Sequence, residues 1–264
     1  MLYFWTSIYK IMTNFKILLL CLILFASCST KKNVVYFQEL DSTNLSNIEF
    51  EGYRVMPDDI LKISVGAENP EATVVFNKNS SLELMSNSRE TMALNGYQLS
   101  LDGYIHFPSL GKIKVLNMTI PEIRDFIYNE IIKKGVLLDP SVDVKLINAH
   151  FTILGEVNSP GRYEFLKNNI NILEAIGVAG DLTINAERKD VRLIRNSQGK
   201  REVYNIDLTN NNFILENTFQ IFSGDIIVVN PNYTRVKNAG IIGNSGTLLS
   251  LLSFVLSSII VINN

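Results

Sequence analysis

The chain has 264 residues, a net charge of −2 and a pI near 5.8. That length allows one to three domains, and the mildly acidic balance excludes the basic surface that nucleic-acid binding needs. Once the two apolar ends are set aside the hydrophobic content is ordinary, so the middle of the chain reads as a soluble globular region.

At the N-terminus Lys16 precedes an apolar run, Ile17 to Phe25, which ends in Ala26-Ser27-Cys28. A short apolar stretch closed by small residues reads as a cleavable export signal, residues 1–27, and is too short for a membrane span. Met12-Thr-Asn-Phe-Lys16 is a better charged leader than Met1 to Ile11, which points to a start at Met12. A cysteine directly after Ala-Ser resembles the bacterial lipobox. By that resemblance the thiol of Cys28 is diacylated and Cys28 becomes the new N-terminus; two acyl chains anchor stably where one does not. The alternative is an unprocessed anchor with Cys28 buried in it. Cys21 lies within the signal, so the processed chain keeps Cys28 alone. That excludes an internal disulfide and any cysteine-built metal or redox site. Residues 28–48 then form a tether, polar at Ser29–Asn33.

Residues 49–148 read as the first folded domain. Pro57-Asp58-Asp59 is a turn leading into an alternating strand, Ile60 to Val65. Asn69 to Asn95 is polar and without period, a long surface loop. Asp102-Gly103 between alternating runs is a hairpin signal, since both turn positions need φ > 0. Pro108-Ser-Leu-Gly111 turns the chain into another strand, Lys112 to Leu116. A helix follows. Thr119 is its cap, Glu122 completes a capping box, and Ile120, Ile123, Ile127 and Ile131 form its apolar stripe. Lys133 and Lys134 suit its C-terminal end and Gly135 stops it. Asp139-Pro140 then turns into a strand, Val142 to Ile147.

Residues 149–232 read as a second domain. Phe151 to Val157 is a strand containing Gly155 and Glu156, Asn158-Ser-Pro160-Gly161 a turn, and Arg162 to Phe165 a returning strand. Asn171 and Glu174 cap a short helix limited by Gly177 and Gly180. Val191 to Arg195 and Glu202 to Ile206 are strands around Gln198-Gly199, and Asp225 to Val229 is the last strand, ended by Pro231. Two strands, a helix and more strands make a small α+β grasp.

The end of the chain, Thr247 to Ile262, has neither charge nor proline. As a helix turning ~100° per residue, it gathers Thr247, Ser250, Ser253, Ser257 and Ser258 within an arc of roughly 140°. Leu252, Val255, Ile259 and other large apolar residues fill the rest; Phe254 and Val261 interrupt the hydroxyl arc. About 16 residues reach ~24 Å against ~30 Å of bilayer hydrocarbon. Apolar character continues back through Ala239–Gly243, so residues 239–262 are the expected spanning helix. A lone span gains nothing from a hydroxyl stripe, whereas a ring of such helices around water would place Thr247, Ser250, Ser253 and Ser257 at the lumen and Leu252, Val255 and Ile259 against lipid. Docking on a soluble core, or an anchor that packs through its serines, are the competing readings.

No catalytic residue, metal or cofactor is nominated. His106 and His150 lie beside strand residues, away from any useful carboxylate pair. There is no nucleophile elbow, phosphate loop or HExxH. Pro57, Asp58, Asp59, Asp102, Gly103, Gly111, Asp139, Pro140, Gly155, Glu156, Pro160 and Gly161 read as turn formers, and no two carboxylates stand out as a glycosidase pair.

Taken in order, several phrases resemble the outer-membrane polysaccharide export (Wza-like) lipoproteins of Gram-negative bacteria. They are Val55-Met-Pro-Asp-Asp-Ile-Leu61, Leu101-Asp-Gly-Tyr-Ile-His-Phe-Pro-Ser-Leu-Gly111, Asp139-Pro-Ser-Val142, Leu154-Gly-Glu-Val-Asn-Ser-Pro-Gly161, Leu173-Glu-Ala-Ile176 and Ala179-Gly-Asp181. The resemblance implies a polysaccharide-export domain, then a soluble-ligand-binding β-grasp (SLBB) domain, then an amphipathic transmembrane helix. It further implies a cyclic homo-oligomer, an octamer in the best-known members, lipid-anchored in the outer membrane with most of the chain periplasmic. Such rings pass capsular or extracellular polysaccharide without covalent chemistry and meet an inner-membrane polysaccharide co-polymerase. Two departures stand out. This chain has room for one β-grasp repeat where members often carry two, and Asp58 replaces the usual Gly of the first phrase. The rival function is a periplasmic glycan-binding or scaffold lipoprotein with no pore; a cell-envelope hydrolase is a third reading.

Overall fold

The computed structural model describes residues 34–38, 52–78, 95–166, 170–197, 199–233, 236 and 245–262. The expected signal, Cys28 and residues 239–244 of the expected spanning helix lie outside the described residues. The chain divides into Met1–Val35 and Tyr36–Asn264; the second unit, described below, contains two lobes with separate cores.

In the first lobe β1 (Ile60–Gly66) buries Leu61, Ile63 and Val65 and exposes Ser64, the two-residue period of a strand with one wet face. The chain then enters a four-residue helix, α1 (Pro70–Thr73), capped by Asn69. The stretch from Asn69 is thus not all surface loop. Beyond α1 the chain delivers Phe76 fully buried into the core, and one helical turn is too short to leave a periodic signal. β2 (Tyr97–Gln98) and β5 (Ser141–Leu146) flank β1, both antiparallel to it. β3 (Tyr104–Phe107) pairs with β4 (Gly111–Lys114) as a separate hairpin. Helix α2 (Ile120–Lys134) lays Ile123, Ile127 and Ile131 into this core at 0% exposure. Its capping box is complete: Thr119 N–H donates to Glu122 Oε2 at 2.7 Å and Glu122 N–H to Thr119 Oγ1 at 3.4 Å. Gly135 ends it in the left-handed conformation.

The Asp102-Gly103 expectation needs correcting. Only Gly103 has positive φ, 85°, and the flanking strands do not pair with each other. Ser100 N–H to Tyr104 C=O and Gly103 N–H to Ser100 C=O close a tight loop. The strands are claimed elsewhere: β2 by β1, and β3 by β4 across Pro108–Leu110. The second turn can compete because Ser109 and Gly111 both adopt positive φ, 61° and 79°. At Gly103 a Cβ would meet Leu116 Cβ at 2.5 Å, so glycine serves close packing as well as the turn.

The second lobe is α+β. Its strands are β6 (His150–Gly155), β7 (Gly161–Glu164), β9 (Ala186–Ser197), β10 (Lys200–Ile206) and β12 (Ile226–Pro231), in the order β10-β9-β12-β6-β7. β12 runs parallel to β6, and the other pairs are antiparallel. A parallel pair needs a long crossover, and here it carries β8 (Ile170–Asn171), α3 (Ile172–Val178), β9, β10 and β11 (Gln220–Ile221). α3 buries Ile172, Ala175 and Ile176 and starts with the Asn171–Glu174 capping box. Pro231 remains in β12 as its last residue, opposite Ala186 across a bulge.

Within the stretch expected to be a tether, Tyr36–Gln38 bind this second lobe. Phe37 and Gln38 N–H donate to Leu208 and Thr209 C=O. The Phe37 ring stacks on Phe213 at 5.7 Å, and Tyr36 OH donates to Asp181 at 2.6 Å.

Candidate functional site

The expected turn residues hold the sequence phrases to one another. Asp58 adopts a left-handed φ of 72°, a conformation that glycine reaches without steric cost. Asp58 N–H donates to Leu99 C=O and Leu99 N–H to Asp59 C=O, so the Pro57-Asp58-Asp59 turn is fastened just ahead of the Leu101-Asp102-Gly103 phrase. In the second lobe Asn158 and Ser159 N–H donate to Asp181 and Ala179 C=O, and Asn158 Nδ2 donates to Gly180 C=O at 2.7 Å. Glu156 accepts from Thr183 Oγ1 at 2.7 Å. The Gly155–Gly161 phrase and the Ala179–Asp181 phrase are therefore two sides of one latch. Asp139-Pro140 lies immediately before β5 and Gly111 opens β4. These residues build the fold; the structure does not gather them into one site.

The sequence reading missed the junction between the lobes. Tyr53 OH donates to Asp59 Oδ2 at 2.7 Å, and Met56 N–H donates to the same oxygen at 2.8 Å. The Tyr53 ring meets Phe222 of the second lobe at 5.9 Å. Arg195 also lies over the Phe222 ring, 4.2 Å from its centroid. Its guanidinium forks onto Asp225, with Nε to Oδ1 at 3.0 Å and Nη2 to Oδ2 at 2.7 Å. Phe222 N–H also donates to Asp225 Oδ2 at 2.8 Å. Burial pushes the Asp225 carboxyl up, and Arg195 pulls it back. Burial likewise raises Asp59, against the bonds from Met56 and Tyr53, and burial together with the neighbouring Asp59 charge raises the Tyr53 phenol. One signal for this was in the sequence. Arg195 lies on the same alternate positions of β9 as Val191 and Leu193, all buried, and a cation on an inward face requires a buried carboxylate.

Helix α4 (Ser245–Ile262) is continuous over 18 residues without a charge. Its register places Thr247, Ser250, Ser253 and Ser257 on one face by their spacing. Their hydroxyls turn inward on the helix where described: Ser250 Oγ donates to Thr247 C=O and Ser253 Oγ to Ser250 C=O, both at 2.9 Å. Ser258 Oγ bonds Phe254 C=O at 2.8 Å. Such back-bonding spends the donor and leaves lone pairs free. Leu249, Leu251, Leu252 and Phe254 are bare in the single chain, at 55–71% exposure. The 18 residues reach about 27 Å at ~1.5 Å each. Among the described residues no helix is long and apolar enough to cross a membrane.

Among the described residues no group of His, Cys, Asp and Glu could hold a metal ion. His106 is exposed on β3. His150 is half-buried, with Nδ1 3.1 Å from Asn148 C=O.

The lobes coincide with two known domains. Residues 49–147 match the family model for the polysaccharide biosynthesis/export protein, and residues 149–229 match the SLBB domain. The chain is 30% identical over 186 residues to the EPS I polysaccharide export outer membrane protein EpsA of Ralstonia solanacearum, covering 68% of this chain and 48% of that protein. It is 32% identical over 150 residues to the protein of the same name from Ralstonia nicotianae, covering 54% of this chain and 38% of that one. The matches thus span about half or less of the length of those relatives. The chain thus carries a polysaccharide biosynthesis/export domain followed directly by an SLBB domain.

Proposed function

We propose that this protein is a subunit of an outer-membrane translocon that exports capsular or extracellular polysaccharide. In this reading Cys28 is acylated and anchors the chain. Copies close into a ring through heterologous contacts, and the helices, extended back to residue 239, line a pore. The lumen carries Thr247, Ser250, Ser253 and Ser257, and Leu252, Val255 and Ile259 face lipid. The polymer arrives from an inner-membrane polysaccharide co-polymerase. No covalent chemistry is needed, and the protein is not proposed as an enzyme.

The observation that carries the reading is α4 itself: a charge-free helix on which Leu249, Leu251, Leu252 and Phe254 are more than half exposed in the single chain. Apolar surface on that scale belongs against lipid or other copies. A ring of helices, like a closed barrel, leaves no backbone group unsatisfied in lipid. The names of the relatives support the polymer as cargo and the outer membrane as location.

The test is a deletion strain complemented with the full chain or with a chain ending before residue 239. The full chain restores surface polysaccharide and runs in mild detergent as a particle of several protomers. The shortened chain restores neither.

A second reading, a periplasmic glycan-binding or scaffold lipoprotein without a pore, draws on the back-bonded serines. With their donors spent inside the helix, the stripe packs as readily against another apolar surface as against water. Export that survives loss of residues 239–264 selects this reading.

A further inference from the structure

We propose that the cleft between the export domain and the SLBB domain is a saccharide subsite that holds a short stretch of the exported polymer; this rests on the export reading above. The cleft encloses about 380 Å³, within the roughly 300–1,000 Å³ of small-molecule sites, which favour domain interfaces. Tyr53, Phe165 and Phe222 line it with aromatic surface, while Arg124, Asp143 and Ser223 bring polar groups to it. That combination suits a sugar. A pyranose presents a C–H face that packs on an aromatic ring, and its edge carries hydroxyls that a carboxylate accepts from and a guanidinium donates to.

The walls are held while the polar groups are free to exchange. Tyr53 is fixed by its bond to Asp59, and Phe222 by Arg195 and by its own N–H bond to Asp225. Among the described residues Arg124 and Asp143, by contrast, engage near neighbours, Asp125 at 2.9 Å and Lys145 at 3.1 Å, and are more than half exposed. Exposed pairs of this kind contribute ~0–1 kcal/mol, so trading them for ligand hydroxyls costs little. A second, smaller cleft of about 230 Å³ shares Tyr53 and Phe222. Of its polar groups Arg195 is committed to the buried Asp225, while Arg54 and Tyr204 make exposed contacts with Glu122 and Glu202. The larger cleft has the greater volume and adds Phe165 to the aromatic wall. Since each lobe supplies part of the wall, an occupant also ties the lobes together.

The probe is the oligosaccharide fraction released by mild acid from the host strain's own surface polysaccharide, titrated calorimetrically into the full-length protein in detergent. Binding is expected. Asp143→Asn and Arg124→Ala should each weaken it about tenfold or more, the loss of a charged hydrogen bond. Lys112→Ala, on the exposed β3–β4 hairpin, should not. Circular dichroism of each variant should match the parent, since both cleft side chains are exposed. Absence of binding by protein purified from a strain that exports normally overturns the subsite and leaves the export reading standing. Binding that ignores both substitutions overturns it too. So does protection of Arg124→Cys from a water-soluble maleimide by assembly alone, which would mean that a second copy of the chain closes the cleft.

Discussion

Gly155 passes so close to Val229 that a Cβ on it would lie 2.0 Å from the Val229 carbonyl oxygen. The contact sits where β6 ends beside β12 in the parallel pair, and Gly155 holds a φ of 91°. Gly155→Ala therefore faces both a backbone collision and a left-handed conformation that alanine resists. It is expected to cost about 3 kcal/mol or more, read as a lowered denaturant midpoint. Gly199→Ala, also at positive φ but with open space around it, should cost less.

The Arg195–Asp225 pair is almost wholly buried, with side-chain exposures of 9% and 1%. Asp225→Ala strands the guanidinium and should destabilise by ~3–5 kcal/mol. Replacing both, Arg195→Met with Asp225→Leu, should cost less than the single change, because no charge is left behind. Equilibrium unfolding in urea of the two variants distinguishes these outcomes.

Asp59 gives stability a definite pH dependence. Its carboxyl is raised in the folded protein, chiefly by burial, so the folded state binds its proton more tightly than the unfolded chain does. The resulting stabilisation is complete below the ordinary carboxylate value near ~3.9. It is lost as pH rises through the higher folded value. Asp59→Asn removes this term and keeps an oxygen for Met56 N–H and Tyr53 OH. The difference in unfolding free energy between parent and variant should therefore change across the weakly acid range, with the parent losing ground as pH rises. A pH-independent difference contradicts the assignment.

How much the sequence disclosed depended on range. The α2 and α3 capping boxes, the Ile123–Ile127–Ile131 stripe and the Ile60–Val65 strand were legible, because each rests on residues a few positions apart. The Asp102-Gly103 hairpin was misread for the converse reason. Its dipeptide fits a tight turn, but strand pairing was decided by β1 and β4, which local chemistry does not report. The Tyr53–Phe222 contact joins residues far apart in sequence, and nothing local marks it. Arg195 could have been flagged from its inward strand position, though not its partner.

Tyr36 and Phe37 make a separate, local prediction. Phe37→Ala removes the stacking on Phe213 and should lower stability by ~1–2 kcal/mol. It should also raise proteolysis of the N-terminal segment in a timed digest. Unchanged cleavage would mean that the backbone bonds to Leu208 and Thr209 hold the strap without the ring.

The central claim concerns α4 and is tested by single cysteines at Ser250, Ser253, Ser257, Leu252, Val255 and Ile259, probed with a small water-soluble maleimide in outer membranes. The account predicts a helical period: the three serine positions react and the three apolar positions do not. Reactivity without that period, or protection of the serine face, would mean that the helices pack through their serines as an anchor, and would contradict the pore.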